Sequence, residues 1–185
     1  MTHESVVIRD MRDTESDAVR NVVLSAYGEY AAIMPAPLWT GYRRQLLTTL
    51  DAAGPVERIV AEREGRIVGS VLLFPPATDA YGAAAVSAEY PEVRLLAVIP
   101  EARKHGIGIA LMEECASRAR RAGADTLGLH TTDVMRAAVR MYERLGYVRV
   151  PAQDFSPVMG VLIKGYRLDL RQAGPTPGMD HHEEL

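Results

Sequence analysis

The chain has 185 residues, enough for one domain with a sizeable core. Its 48% hydrophobic and 24% charged residues are those of an ordinary soluble globular protein, and a net charge of −3 argues against a nucleic-acid partner, which calls for a basic excess. A single cysteine, Cys115, excludes an intrachain disulfide, no Cys/His set points to zinc, and no apolar run approaches the ~20 residues of a membrane span.

Val6-Val7-Ile8 predicts a short strand. Thr14-x-x-Asp17 has the form of a capping box, and Val19, Val22, Val23, Ala26, Tyr27 and Tyr30 then follow a helical period. Met34-Pro35-Ala36-Pro37 breaks that helix. A second is predicted from Leu38 to Ala52, with Trp39, Tyr42, Leu46 and Leu50 on one side and Gly54-Pro55 as its stop. Arg58–Glu62 and Arg66–Phe74 read as a hairpin around Arg63-Glu64-Gly65-Arg66, closed by Pro75-Pro76. Residues 77–90 are small and aperiodic and form a long connection.

From Glu92 a nearly continuous apolar run, Val93–Ile99, predicts a strand covered on both faces, ended by Pro100. A basic glycine loop follows, Arg103-Lys104-His105-Gly106-Ile107-Gly108, and then a helix over 108–122. Met112, Cys115, Ala119 and Ala122 lie on its apolar side, Arg118, Arg120 and Arg121 on its solvated side, with Gly123 as the stop. Cys115 thus reads as a buried small hydrophobe. Thr126–Thr131 is the next strand. Asp133 is the expected N-cap of a helix carrying Val134, Ala138, Met141 and Leu145, which Gly146 ends. Tyr147–Val150 is a short strand, 151–160 a loop, and Val161–Leu170 the last strand. One domain over 6–170 is expected, followed by a disordered tail, 171–185. The adjacent His181 and His182 in that tail have no further ligands beside them, so no metal is expected.

The stretch from Glu92 to Ala122 carries the chemistry. Two glycines let the backbone turn tightly and let a ligand approach its N–H groups. The first N–H groups of a helix have no internal partner and carry the positive end of its dipole. Strand, glycine loop and helix together make an anion site that suits a pyrophosphate, with Arg103 and Lys104 adding charge at the mouth. A P-loop would need GxxxxGK[ST], which is absent. A Rossmann loop would need a small residue at position 111, where Leu stands, and glycines directly after the strand.

Arg103-x-x-Gly106-x-Gly108 instead resembles the coenzyme A pyrophosphate signature of the GCN5-related N-acetyltransferases (GNAT), (R/Q)xxGx(G/A). The resemblance extends through Leu127–Tyr147, where Ala138 to Tyr147 is similar to AxxxYExxGF, and more loosely from Val6 to Leu170. It implies a single-domain α/β (α+β) mixed-sheet fold of the acyl-CoA N-acyltransferase type, with helices on both faces of a central, mostly antiparallel sheet. It also implies acetyl-CoA as co-substrate. The cofactor site would comprise Leu96, Ala97 and Val98, the loop Arg103, Lys104, His105, Gly106, Ile107 and Gly108, then Ile109 and Ala110, and Met135, Ala138 and Tyr142 from the later helix. The Leu96 N–H would polarise the thioester carbonyl, and the N–H and C=O of Val98 would hold the pantetheine. Met135 stands where many members carry Asn, which removes one expected polar contact.

Glu92 lies fourteen residues before Gly106, the place of the general base in members that use a strand glutamate. Partial desolvation at a strand entry is expected to raise its pKa toward that of a useful base. Tyr142 would protonate the departing thiolate. His130 reads as a structural histidine, and Asp154 as a loop aspartate that could hold an amine cation. Tyr27, Tyr30, Trp39 and Tyr42, with the loop 151–157, would shape the acceptor pocket. The implied function is acetyl transfer to a primary amine of a small molecule, or of a protein or peptide, directly in a ternary complex. No nucleic acid or membrane partner is expected, a homodimer is compatible, and the cytoplasm is the default location. Two rivals remain: a coenzyme A-binding sensor or interaction module on the same fold, and an acylase of tRNA or protein termini.

Overall fold

The computed structural model describes residues 5–76, 89–158 and 160–171. The expectations for the connection 77–88 and the tail 172–185 therefore lie outside the described residues.

The elements are β1 (Val7–Asp10), α1 (Ser16–Tyr27), α2 (Ala36–Leu50), β2 (Glu57–Arg63), β3 (Arg66–Phe74), β4 (Glu92–Val98), α3 (Ile107–Arg121), β5 (Thr126–Thr131), α4 (Arg136–Arg144), β6 (Val148–Arg149), β7 (Phe155–Val158) and β8 (Val161–Asp169). The strands form one mixed sheet in the order β1-β2-β3-β4-β5-β8-β6, with β7 also on β8. Among the described strand pairs only β4 and β5 run parallel. The β2–β3 hairpin turns on Glu64 and Gly65, at φ 52° and 72°, as a two-residue turn of primed type requires.

Strand alternation divides the core into two layers. Ile59 and Ala61 of β2 and Val71 and Leu73 of β3 pack with Leu111, Met112 and Cys115 of α3 and with Tyr142 of α4. Val60, Leu72 and Phe74 point the other way, against Val19, Val22 and Val23 of α1 and Leu46 and Leu50 of α2. The sheet is thus covered on both faces, as expected of these near-continuous apolar strands. Gly69 lets α3 come close: a Cβ there would meet the Ala97 carbonyl oxygen, Ile107 Cγ2 and Leu111 Cδ1, each at 3.1 Å.

Several local expectations are corrected. The first helical turn, Asp13–Glu15, starts from Arg12, whose backbone N–H donates to Glu15 Oε2 at 2.8 Å, so the reciprocal contact is made by Arg12 and Glu15 and not by the Thr14–Asp17 pair. The second helix starts at Ala36 and includes Pro37, tolerated because first-turn N–H groups bond nothing within the helix. Asp133 does not cap α4. Met135 holds that position, and Asp133 Oδ1 accepts from Lys164 Nζ at 2.5 Å. Part of the predicted loop 151–160 is strand β7, paired antiparallel with β8.

Candidate active site

The site starts from an irregularity in β4. Ser70 pairs with Ala97 and Leu72 with Arg94, so Leu95 and Leu96 together face the single residue Val71. Leu95 sits at φ 50°, a left-handed conformation that a leucine adopts only under constraint. This bulge resets the alternation. Arg94 stacks its guanidinium 4.2 Å from the Phe74 ring, and Leu95 joins the same α1–α2 layer, while Leu96 packs against the α3 layer. Tyr27 Oη donates to the Leu96 carbonyl at 3.1 Å, tying α1 to the bulge.

Past the bulge β4 and β5 separate. They pair only through Glu92–Gly128 and Val93–Leu129, although β4 continues to Val98 and β5 to Thr131. A cleft therefore opens at the carboxyl ends of two parallel strands, the usual ligand side of such a pair. The loop leaving β4 crosses its mouth. Lys104 and Gly106 are both left-handed, at φ 65° and 75°, and the first bond of α3 is Ala110 N–H to the Gly106 carbonyl at 2.9 Å. The N–H groups of Ile107, Gly108 and Ile109 thus have no acceptor within the helix and point out of its positive end, a geometry suited to phosphate oxygens. Gly108 also lets α3 meet α4, since a Cβ there would lie 3.3 Å from Met141 Sδ.

Arg103 does not add charge at this mouth as expected. Its Nε donates to the Val98 carbonyl at 3.1 Å, Nη2 to the Ala26 carbonyl at 2.9 Å, and Nη1 to Glu29 Oε2 at 2.8 Å. The side chain fastens the loop to the end of α1. The Val98 carbonyl, assigned to pantetheine above, already accepts one hydrogen bond and keeps one lone pair for another. Lys104 and His105 are exposed in the loop. Met135 packs into the α1–α2 layer and accepts a weak bond from Thr131 Oγ1 at 3.6 Å. Ala138 packs against the α3 layer.

Tyr142 is 8% exposed, with its ring centroid 5.9 Å from that of Tyr147. Burial pushes the phenol well above its ordinary pKa, so the hydroxyl stays protonated and able to donate. Burial likewise pushes the Cys115 thiol up to about 12, which makes it an inert core group.

Glu92 is 3% exposed. Its Oε1 lies 2.7 Å from His130 Nδ1, and its Oε2 accepts from Arg94 Nη2 at 3.0 Å. Burial raises the carboxyl, but the His130 hydrogen bond and the Arg94 charge more than offset it and leave the pKa below the ordinary value. The expected upward shift is reversed, because two partners invisible in the linear pattern hold the charged form. Asp154 is also engaged: its carboxylate grips Arg149 at 2.5 and 2.6 Å and accepts the Gly165 N–H at 3.1 Å, which holds its pKa down. The aromatic residues of the first helices converge on the same sheet face. Ring centroids of Tyr27 and Tyr30 are 6.0 Å apart, of Tyr27 and Tyr42 6.2 Å, and of Trp39 and Tyr42 6.2 Å.

A bulged, diverging parallel strand pair with a glycine loop and helix N-terminus at its mouth is a specific arrangement, and the model of the Acetyltransferase (GNAT) family matches residues 20–147. The chain belongs to the GNAT acetyltransferase family. Among solved structures it is similar to a GNAT-family protein from Desulfovibrio desulfuricans, with TM-score 0.65 and 21% identity over 90% of this chain and 99% of that one. It is also similar to a GNAT acetyltransferase from Brucella melitensis in complex with acetyl-CoA, with TM-score 0.58 and 20% identity over 79% and 84% of the two chains. A third is the PaiA N-acetyltransferase of Thermoplasma acidophilum in complex with coenzyme A, with TM-score 0.65 and 16% identity over 87% and 98%. At these identities the likeness speaks to the fold, which is the GNAT fold. No curated protein matches in sequence. Among the described residues no helix is long and apolar enough to cross a membrane, and no group of three or more His, Cys, Asp or Glu could hold a metal ion.

Sequence reasoning missed four features of this candidate site: the Leu95 bulge, the Arg94 and His130 contacts to Glu92, and the Tyr27 tether. Only the register of β4 against β5 could have joined Glu92 to His130.

Proposed function

We propose that the chain transfers the acetyl group of acetyl-CoA to a primary amine, directly and within a ternary complex, in the cytoplasm. The observation that carries this reading is the divergence of β4 from β5 beside the Leu95 bulge, with the N-terminus of α3 at its mouth. In it the pyrophosphate sits on the Gly106–Ile109 N–H groups, the pantetheine runs along Ala97 and Val98, and the Leu96 N–H faces the thioester oxygen. Glu92 takes one proton from the acceptor ammonium. The neutral amine attacks the carbonyl carbon, the C–S bond breaks, and Tyr142 gives its proton to the sulfur. The second amine proton, released as the amide forms, restores Tyr142 through solvent.

The acceptor binds on the α1–α2 face, against the Tyr27–Tyr30–Trp39–Tyr42 cluster. A carboxylate held below its ordinary pKa is a weak base, so weakly basic amines are favoured. A panel of amines with acetyl-CoA and thiol detection tests the reading. Turnover should favour amines of pKa about 8, such as peptide α-amines, over lysine-like amines of about 10. Thiol release that no amine accelerates would instead support a coenzyme A-binding sensor.

A further inference from the structure

Glu92 pairs across the sheet with Gly128, which places His130 diagonally beside it on the same face. The imidazole spans two fixed groups: Nδ1 lies 2.7 Å from Glu92 Oε1, and Nε2 lies 3.1 Å from the Gln153 carbonyl oxygen. The surroundings are shaped for this span. A Cβ at Gly165, directly opposite His130, would lie 2.7 Å from Gln153 Cβ, and one at Gly128 would lie 2.4 Å from the Tyr90 ring. Two bare positions therefore let the Gln153 turn and Tyr90 lie down on the sheet around the couple. Phe155 closes it with an edge contact, its ring centroid 5.3 Å from that of His130. The side chains of His130 and Glu92 are 10% and 4% exposed.

Both ring nitrogens face acceptors, one a carboxylate and one a carbonyl. A neutral imidazole has a single N–H. The ring thus bridges the Glu92 carboxylate and the Gln153 carbonyl and fixes the one relative to the other. Among the described residues, Arg94 on its own strand and Tyr90 just before it also act on Glu92. Glu89 and, on β8, Arg167 act electrostatically on Tyr90.

We propose that His130 is a positioning residue for acetyl transfer: fixed through Nε2 by the Gln153 carbonyl, it holds Glu92 Oε1 and sets the orientation in which the carboxylate meets the acceptor's proton. An apolar residue would fill the same space without burying an ionic cluster, which costs desolvation. The proposal rests on Glu92 being the base, and its test separates the two.

His130→Phe keeps the ring and deletes the donor; His130→Asn keeps a donor near the Nδ1 position. The carbon-13 titration of the Glu92 carboxyl is followed in each, alongside the pH dependence of kcat/KM. The carboxyl midpoint should rise in His130→Phe by about one to two pH units, the scale of one charge-assisted hydrogen bond, and fall back in His130→Asn. The acid limb of kcat/KM should move with it while the KM for acetyl-CoA stays put. Should His130→Phe not fold, His130→Leu takes its place. An unmoved midpoint in the folded variant overturns the proposal. So does a midpoint that moves while the limb stays and Glu92→Gln is inactive. If Glu92→Gln turns over at the parental rate, the base assignment itself has failed and the positioning role falls with it.

Discussion

Tyr27 Oη donates a 3.1 Å hydrogen bond to the carbonyl of Leu96, the residue after the left-handed Leu95. Helix α1 is thereby coupled to the one irregular point of β4. Tyr27→Phe keeps the aromatic packing on Tyr30 and Tyr42 but frees that carbonyl. Urea unfolding should show a loss of about 1 kcal/mol, the ordinary worth of such a bond. Turnover should fall while the KM for acetyl-CoA holds, because the tether fixes the Leu96–Ala97 peptide, and through the Leu96 Cα the direction of the neighbouring Leu96 N–H proposed to face the thioester. A parental kcat would show that the bulge is set by the strand alone.

Gly108 serves both the anion site and the α3–α4 contact. Gly108→Asp adds negative charge beside the free N–H groups and presses on Met141 Sδ, 3.3 Å from the new Cβ. Saturating acetyl-CoA should raise the Tm of the parent and leave the variant unchanged. Gly108→Ala makes the milder test: the flexible Met141 end can yield, so most of the ligand-induced gain should survive.

Tyr142→Phe removes an acid and keeps a ring. Affinity for acetyl-CoA should change little, and turnover should drop by roughly 10²–10⁴ if the phenol protonates the leaving thiolate. Tyr142→Ala should also cost about 3–5 kcal/mol of stability, the range for deleting a buried aromatic, since the residue is only 8% exposed. A Tyr142→Phe variant at parental speed, with chemistry rate-limiting, would remove the residue from the reaction.

Acid stability should depend on Glu15. Its hydrogen bonds from the Arg9 side chain and the Arg12 N–H hold the carboxyl at about 2, against an ordinary 4.5. A folded-state pKa lowered in this way contributes stability that is complete above about 4.5 and is lost as pH falls toward 2. Glu15→Gln should flatten the slope of unfolding free energy against pH inside that window and leave the slope unaltered at neutral pH. A slope in that window equal to the parent's would mean that the ion pair persists in the unfolded chain.

What could be read from the chain alone was what acts over a few residues. The apolar run of β4, its stop at Pro100, the glycine loop and the period of α3 predicted that unit to within one residue at the ends of the helix, because proline, glycine and helical spacing work through local sterics and a single burial face. The same holds for α4 around Tyr142, although its start was misjudged, since Asp133 had a better partner in Lys164 than the helix end. Strand β7 was missed because its partner β8 supplies the pairing that its own sequence does not advertise. The charge state of Glu92 and the direction of Arg103 belonged wholly to the tertiary structure. Glu92 meets a histidine 38 residues away, and Arg103 meets Glu29 and the Ala26 carbonyl at separations of 74 and 77 residues. A pKa is a difference in interaction energy between two protonation states, and those energies come from whatever the strand register and helix docking bring within a few ångströms. The chain could therefore announce that a carboxylate stood at the head of β4, and only the strand register that sets Arg94 and His130 against it could decide that its charged form is favoured.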